Sequence, residues 1–518
     1  MRIYKYGVKV TVPRTGWYSA LNKNNIFVDI NVTENQNMKD RRINASKETI
    51  EVLIDNSQKL ISDFEQLLHN VELIKSELFN NGLPTNYSQL IFELLSGSLL
   101  GLYEVCIDLK CMLGTSNVYA KRYHIQMINL SQHEWCVYLR GRDQNGVLSN
   151  LINLHNEKFG SSPDLDKILE QIGLLGKKCS IELRNMTAHY DKPYVMYKKL
   201  ITINDEEVYV KRIGDQFLIH EMIFKYVSPF IQSISQTLSI RGIDSLKKRT
   251  LGSLNIQELI NAKIAESLNH KEKLGVAIEE QIADAWNIIE SQKRMFERCE
   301  KAILFLESKQ LDSTRLIEIK SLVEIQLTVS FMRYDLACSM STYLTASSNT
   351  EHSIAFMRAY IIETSALSHL YGYNEKHSEK SIWNKIKAIP EFKSISSSNE
   401  IENDLKFLTS NANSTKRNLY THYREDAKLN ISERWQCANE INHLKELLQM
   451  LHLVRLCKNI NQFLVSLITA MDSTIKEENK EMLKPIRKIR DLASKNKRKD
   501  IVEMSDKLLS IFYDKNLQ

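Results

Sequence analysis

The residues best suited to chemistry are an arginine, an asparagine and a histidine that occur twice in the same order. Arg184-Asn185-Met186-Thr187-Ala188-His189-Tyr190 and Arg417-Asn418-Leu419-Tyr420-Thr421-His422-Tyr423 both read RNxxxHY and start 233 residues apart in a chain of 518. On a helix, Asn185 and His189 are four apart and stack on one strip, with Met186 and Tyr190 stacked on the next. Asn418 with His422, and Leu419 with Tyr423, repeat that geometry. Arg184 and Arg417 each start about 100° around the helix from their asparagine, and a flexible stem lets the guanidinium reach back over that edge. A cation, an amide and an imidazole then converge near one helix end. Such a set suits phosphodiester chemistry on RNA: a histidine near its free pKa takes the ribose 2′-OH proton or gives one to the leaving 5′-oxygen. The arginine stabilises charge on the phosphorane.

That chemistry needs no metal, and no metal or cofactor is expected. The chain has no acidic cluster at metal-ligand spacing, no HExxH, no Walker lysine loop and no GxGxxG. Gly173-Leu174-Leu175-Gly176-Lys177 lacks phosphate-loop spacing and sits in a helical context. The eight cysteines form no CxxC pair and mostly lie in apolar helical patterns, so reduced, buried thiols are expected. The opening MRIYKYGVKV has no apolar segment behind its basic residues, which argues against a secretory signal. The most apolar stretch, Leu90 to Leu109, is interrupted by Glu93, Glu104 and Asp108, as on an amphipathic helix. No membrane span and a cytoplasmic location are expected. A net charge of +6 permits nucleic-acid binding without requiring it.

With 43% hydrophobic residues, 16 Gly and only 7 Pro, the elements that position these groups should be helices. Apolar spacing with Ser46 as N-cap predicts a helix over 46–79, after an irregular arm or small strand pair with β character at Tyr6 to Val12 and Asn25 to Val32. Leu83-Pro84-Thr85-Asn86 is a stop and a new cap, followed by helices Tyr87 to Met112 and Tyr119 to Leu139. A polar loop from Gly141 to Pro163 leads to a fourth helix, Asp164 to Tyr190, carrying the first motif near its C-terminal end. Tyr194 to Tyr197, Leu200 to Ile203 and Val208 to Val210, around Asn204-Asp205, predict a short β-hairpin, and Gly214 to Ile240 is helical. The aromatic hairpin would border an RNA cleft or cap the bundle.

The second half repeats the order: helices Lys273 to Leu306, Thr314 to Met340 and Ser353 to Leu370, a polar loop through Ser396 to Ser398, and a fourth helix with the second motif. Two anchors align the halves. Asp108-Leu109-Lys110-Cys111 matches Asp335-Leu336-Ala337-Cys338, and 76 residues separate Asp108 from Arg184 where 82 separate Asp335 from Arg417. After the second motif come a long helix, Arg434 to Met471, and a basic run from Lys484 to Lys499 that suits either an RNA backbone or a solvated face. The expected organisation is an arm at 1–45, helical domains at 46–245 and 246–475, and a basic helical segment at 476–518.

An Arg-Asn-x-x-x-His element on the fourth helix of a bundle resembles the signature of the HEPN superfamily. The resemblance implies an all-α fold of two tandem bundles forming an intramolecular pseudo-dimer. It also implies a metal-independent endoribonuclease that leaves 2′,3′-cyclic phosphate ends, with Arg184, Asn185 and His189 as one half-site and Arg417, Asn418 and His422 as the other. Asp108 and Asp335 are the candidate supporting acids. Single-stranded RNA or tRNA loops are the implied substrates, and a toxin or phage-defence (abortive infection) effector the implied setting, with room for a neutralising or activating protein partner and for a homodimer. Some family members carry a tyrosine two residues after the histidine that a partner enzyme modifies. Here the tyrosines, Tyr190 and Tyr423, follow the histidine directly, so that regulation is not carried over. The alternative is the same fold as a non-catalytic scaffold or regulatory partner protein.

Overall fold

The computed structural model describes residues 2–5, 8–11, 57–76, 78, 85–115, 117–141, 145–188, 190, 193–203, 206–240, 271–308, 313–372, 381–395, 397–411, 420 and 443–513. Helices make up nearly all of them, as an all-α chain requires. Arg2–Lys5 and Val8–Thr11 pair antiparallel, with Arg2 opposite Thr11. This lies within the expected arm, whereas Asn25 to Val32 falls outside the described residues. The chain divides into two compact units, one of residues 1–286, 332–366 and 412–454, the other of residues 287–331, 367–411 and 455–518.

The first unit is built on helix Asn86–Gly114. Thr85 opens it with a capping box: its hydroxyl accepts from the Ser88 N–H (3.1 Å) and the Ser88 hydroxyl accepts from the Thr85 N–H (2.8 Å). By length and composition this helix could cross a membrane, but it is buried within the protein. Its charged residues do not lie on a solvated face, as the sequence suggested. Glu93 meets Lys75 at 2.6 Å, Asp108 meets Arg358, and Lys110 meets Glu351, so these three buried charges are neutralised by partners from elsewhere in the chain, while Glu104 accepts from the Ser131 hydroxyl at 3.4 Å. Gly97 and Gly101, one turn apart, let helix Val118–Arg140 approach closely. A Cβ on Gly97 would stand 2.3 Å from the Tyr138 ring and one on Gly101 2.3 Å from the Trp135 ring, closer than packed atoms come. Helix 57–76 adds Leu60, Ile61, Phe64, Leu68 and Val71 to the same core, as its spacing predicts.

Three expectations need correction in this unit. The loop from Gly141 to Pro163 contains a helix, Val147–Phe159, whose Val147, Leu148, Leu151 and Ile152 are buried as one stripe. The fourth helix is two helices, Pro163–Lys178 and Ile181–Ala188. It breaks because the Asn129 side chain takes both backbone groups of Ser180, donating to its carbonyl at 2.8 Å and accepting its N–H at 2.9 Å. The Ser180 hydroxyl then accepts from the Leu183 N–H at 3.2 Å, which starts the next helix. Finally, no hairpin forms after the first motif: Pro193–Thr202 and Glu206–Ile240 are helices. Pro193 opens the first of them, and Pro193, Met196, Tyr197 and Leu200 are buried at helical spacing. Tertiary burial overrides the β preference of the Tyr, Val and Ile residues.

In the second unit, Trp383, Phe392 and Phe463 form an aromatic cluster with ring centroids 5.5–5.6 Å apart. The Asn461 amide donates to the Ser330 hydroxyl at 3.0 Å. The expected loop before the second motif holds helix Ile382–Lys387 and a 3-10 turn, Pro390–Ser394, ahead of helix Ser398–Asn411. The basic run spans the end of helix His443–Lys495, the turn after it and the first residue of helix Lys499–Tyr513. Two of its arginines are neutralised, Arg490 by Asp506 and Arg498 by Asp500, while Arg487, Lys488, Lys495, Lys497 and Lys499 are exposed.

Candidate functional site

Helix Ile181–Ala188 carries Arg184 and Asn185 of the first motif. The Arg184 Nε donates to a Glu134 carboxylate oxygen at 2.9 Å, and His133 lies 3.6 Å from that same oxygen. Glu134 is buried on helix Val118–Arg140, so the contact is a charge-assisted bond that orients the guanidinium. At the far end of the motif, Tyr190 is 2% exposed and its hydroxyl donates to Asp335 at 2.9 Å. A hydroxyl so enclosed is not presented for modification. The Asn185 side chain, His189, Arg417, Asn418 and His422 lie outside the described residues. Of the second motif, Tyr420 is described, buried edge-on against Tyr360 at 5.5 Å.

Asp108 and Asp335 are both in the interior of the first unit. Asp108 accepts from Arg358 at 2.5 Å and faces the His124 ring at 3.3 Å, and Arg358 also donates to the Glu104 carbonyl at 3.1 Å. Thus each DLxC aspartate bonds a residue from the opposite half of the sequence, Asp108 to Arg358 and Asp335 to Tyr190. Burial pushes the Asp335 carboxyl up to about 7, against the pull of the Tyr190 hydrogen bond.

The sign of the resulting pH dependence is fixed. Between its ordinary value of 3.8 and about 7, Asp335 keeps a proton in the folded chain that it loses in the unfolded chain. Its contribution to stability therefore falls as pH rises through that window. Asp335→Asn removes this component, so the stability difference between wild type and variant should shift in the variant's favour as pH rises. Thermal melts of both proteins from about pH 4 to about pH 8 check it, and parallel curves contradict it.

A second network lies at the break before the motif helix. Arg212 donates to Asn129 at 3.2 Å and to the Cys179 sulfur at 3.1 Å, joining the asparagine that halts the fourth helix to the thiol beside it. The Cys136 thiol, together with Arg212, brings Cys179 down to about 7, while Cys136 itself is pushed well up. The seven described cysteines are all buried and unbridged, as expected, but their burial pattern in the sequence does not set Cys179 apart. Glu134, Asn129 and Arg212 were likewise invisible as site residues. Isolated polar residues within amphipathic helices announce no partner until the helices are packed.

The helices that replace the predicted hairpin border a cleft of about 290 Å3 against the motif helix, lined by Ser180, Glu182, Leu183, Lys199, Thr202 and Tyr209 among others. Lys199 and Glu182 pair across it at 2.5 Å, and Arg212 lies over the Tyr209 ring at 5.1 Å. Compared with protein-family models, curated proteins and solved structures, the chain finds no match. Among the described residues, no three His, Cys, Asp or Glu side chains gather as a metal site.

Proposed function

We propose that the chain is a HEPN-type endoribonuclease that cleaves RNA by attack of the 2′-OH on the adjacent phosphate. The observation that carries this reading is the duplicated Arg-Asn-x-x-x-His element at similar distances, 76 and 82 residues, from duplicated DLxC anchors. In the mechanism, one of His189 and His422 takes the 2′-OH proton and the other protonates the leaving 5′-oxygen. Arg184 and Arg417 stabilise the phosphorane, and Asn185 and Asn418 supply amide hydrogen bonds beside them. In-line attack needs a nucleotide free to splay, which favours single-stranded RNA or tRNA loops over duplex. The bonds from Asp108 and Asp335 to the opposite half support treating the halves as one working pair. A cytoplasmic toxin or phage-defence effector, restrained or released by a protein partner, is the setting that fits such an activity.

One observation favours the second reading, a non-catalytic scaffold: the described motif side chains Arg184 and Tyr190 both make structural bonds, to Glu134 and Asp335. The two readings separate on labelled single-stranded RNA. Cleavage by the wild-type chain that disappears in the His189→Ala, His422→Ala double variant supports the nuclease. Cleavage that persists in the double variant overturns it, and a wild-type chain that neither binds nor cuts RNA supports the scaffold.

A further inference from the structure

The positive charge of this chain is concentrated in one place. Residues 484–499 hold eight lysines and arginines and one acid, Asp491, a net +7 against +6 for all 518 residues, so the rest of the chain sums to −1. Within the second unit this segment runs from the end of helix His443–Lys495 through a tight turn to the start of helix Lys499–Tyr513. Arg490 pairs with Asp506, tying the second helix back to the first, and Arg498 pairs with Asp500 at 2.8 Å. Those two cations are neutralised locally. Lys488, Lys495, Lys497 and Lys499 are exposed and make no ion pair among the described residues. Lys488, Leu492 and Lys495 share one exposed strip of the helix, on the side away from the buried Ala493.

The turn carries a second, independent mark. Lys497 has a φ of 55° and is the only non-glycine residue with a positive φ among the described residues. It closes the helix as a glycine ordinarily does: the Arg498 N–H donates to the Ala493 carbonyl at 2.9 Å and the Lys497 N–H to the Ser494 carbonyl at 3.2 Å. Glycine would adopt that conformation without a Cβ clash, so a lysine there places a cation on the turn against the local backbone preference. Strain of this kind points to a use for the side chain.

We infer that Lys488, Lys495, Lys497 and Lys499 form a docking site for the sugar-phosphate backbone of single-stranded RNA. The lysines run from the helix strip into the turn, each a point charge on a flexible stem that takes a phosphate oxygen without demanding a sequence. Leu492, between Lys488 and Lys495, offers an exposed apolar side chain to an unstacked base, which a duplex would keep enclosed. An anionic bilayer fits the same surface less well. Asp500 and Glu503 are exposed on the first turn of the second helix, and a flat anionic surface would repel them. The choice of ligand rests on the proposed function, whereas the site requires binding alone and not cleavage.

The test measures binding of the full chain to a short single-stranded 2′-O-methyl RNA, which lacks the attacking hydroxyl, by fluorescence anisotropy over a series of salt concentrations. The combined variant Lys488→Gln, Lys495→Gln, Lys497→Gln, Lys499→Gln should bind about 10²-fold more weakly at low salt and flatten the slope of log K against log salt by about 3, from four contacts at about 0.7 each. Lys497→Gly separates contact from folding. It removes the cation and relieves the left-handed strain, so affinity should fall about threefold while the melting temperature holds or rises. Variant and wild-type curves that coincide at every salt concentration overturn the docking site, and cleavage of ordinary RNA by that same wild type leaves the nuclease reading standing. Lysine-dependent binding by a chain that cuts nothing keeps the docking site and removes the nuclease. A wild type that binds no RNA, including one that the same lysines hold on phosphatidylserine vesicles instead, overturns the docking site as well.

Discussion

His189→Ala alone and His422→Ala alone are each expected to lower RNA cleavage by about 10²–10⁴-fold, with the double variant no slower than the worse single. The expectation follows from the proposed function, in which the two histidines would share a single proton-transfer sequence in one composite site. A base without its acid, or an acid without its base, leaves the same barrier, so the losses do not add. Two independent sites would behave differently: each single variant would retain about half of the activity, and only the double would abolish it. Initial rates on one RNA of defined sequence, measured for the three variants and wild type at saturating substrate, decide between the two. Retained helix content in every variant assigns the loss to chemistry rather than unfolding.

Arg358→Met is expected to destabilise the first unit by about 3–5 kcal/mol. Arg358 donates to the Asp108 carboxylate at 2.5 Å and to the Glu104 carbonyl at 3.1 Å, and Asp108 is fully buried. Truncating the arginine strands a carboxylate in the interior, a far larger penalty than losing a surface pair. Asp108→Leu combined with Arg358→Met removes both charges and should recover most of the loss, because a buried pair and an apolar replacement of similar volume are close in energy. Urea denaturation of wild type, single and double variants reads this directly. A single-variant loss below about 1 kcal/mol would mean that the pair does not join the two halves of the sequence as described.

The helical class and most long helices were legible because amphipathic spacing survives packing: Asn86–Gly114 and Val118–Arg140 begin and end within two residues of their expected limits. The helix break at Cys179-Ser180 was not legible, since it is enforced by Asn129, some fifty residues away in sequence, taking the backbone groups that would have continued the ladder. The Tyr194 to Val210 segment misled because short continuous runs of β-branched and aromatic residues fit a buried strand and a buried helical turn alike, and burial of Met196, Tyr197 and Leu200 against the bundle selected the helix. At the candidate site, Arg184 and the two DLxC aspartates could be named from their recurrence. Their partners Glu134, Arg358 and Tyr190 could not be, because those pairings span 50, 250 and 145 positions.

The central claim is metal-independent 2′-OH attack, and the end groups of the cleaved RNA test it most directly. With the divalent ions removed by a chelator, the chain should still cut single-stranded RNA and leave 2′,3′-cyclic phosphate and 5′-hydroxyl ends. Products with 3′-hydroxyl and 5′-phosphate ends, or cleavage that begins only when a divalent ion is restored, would contradict it.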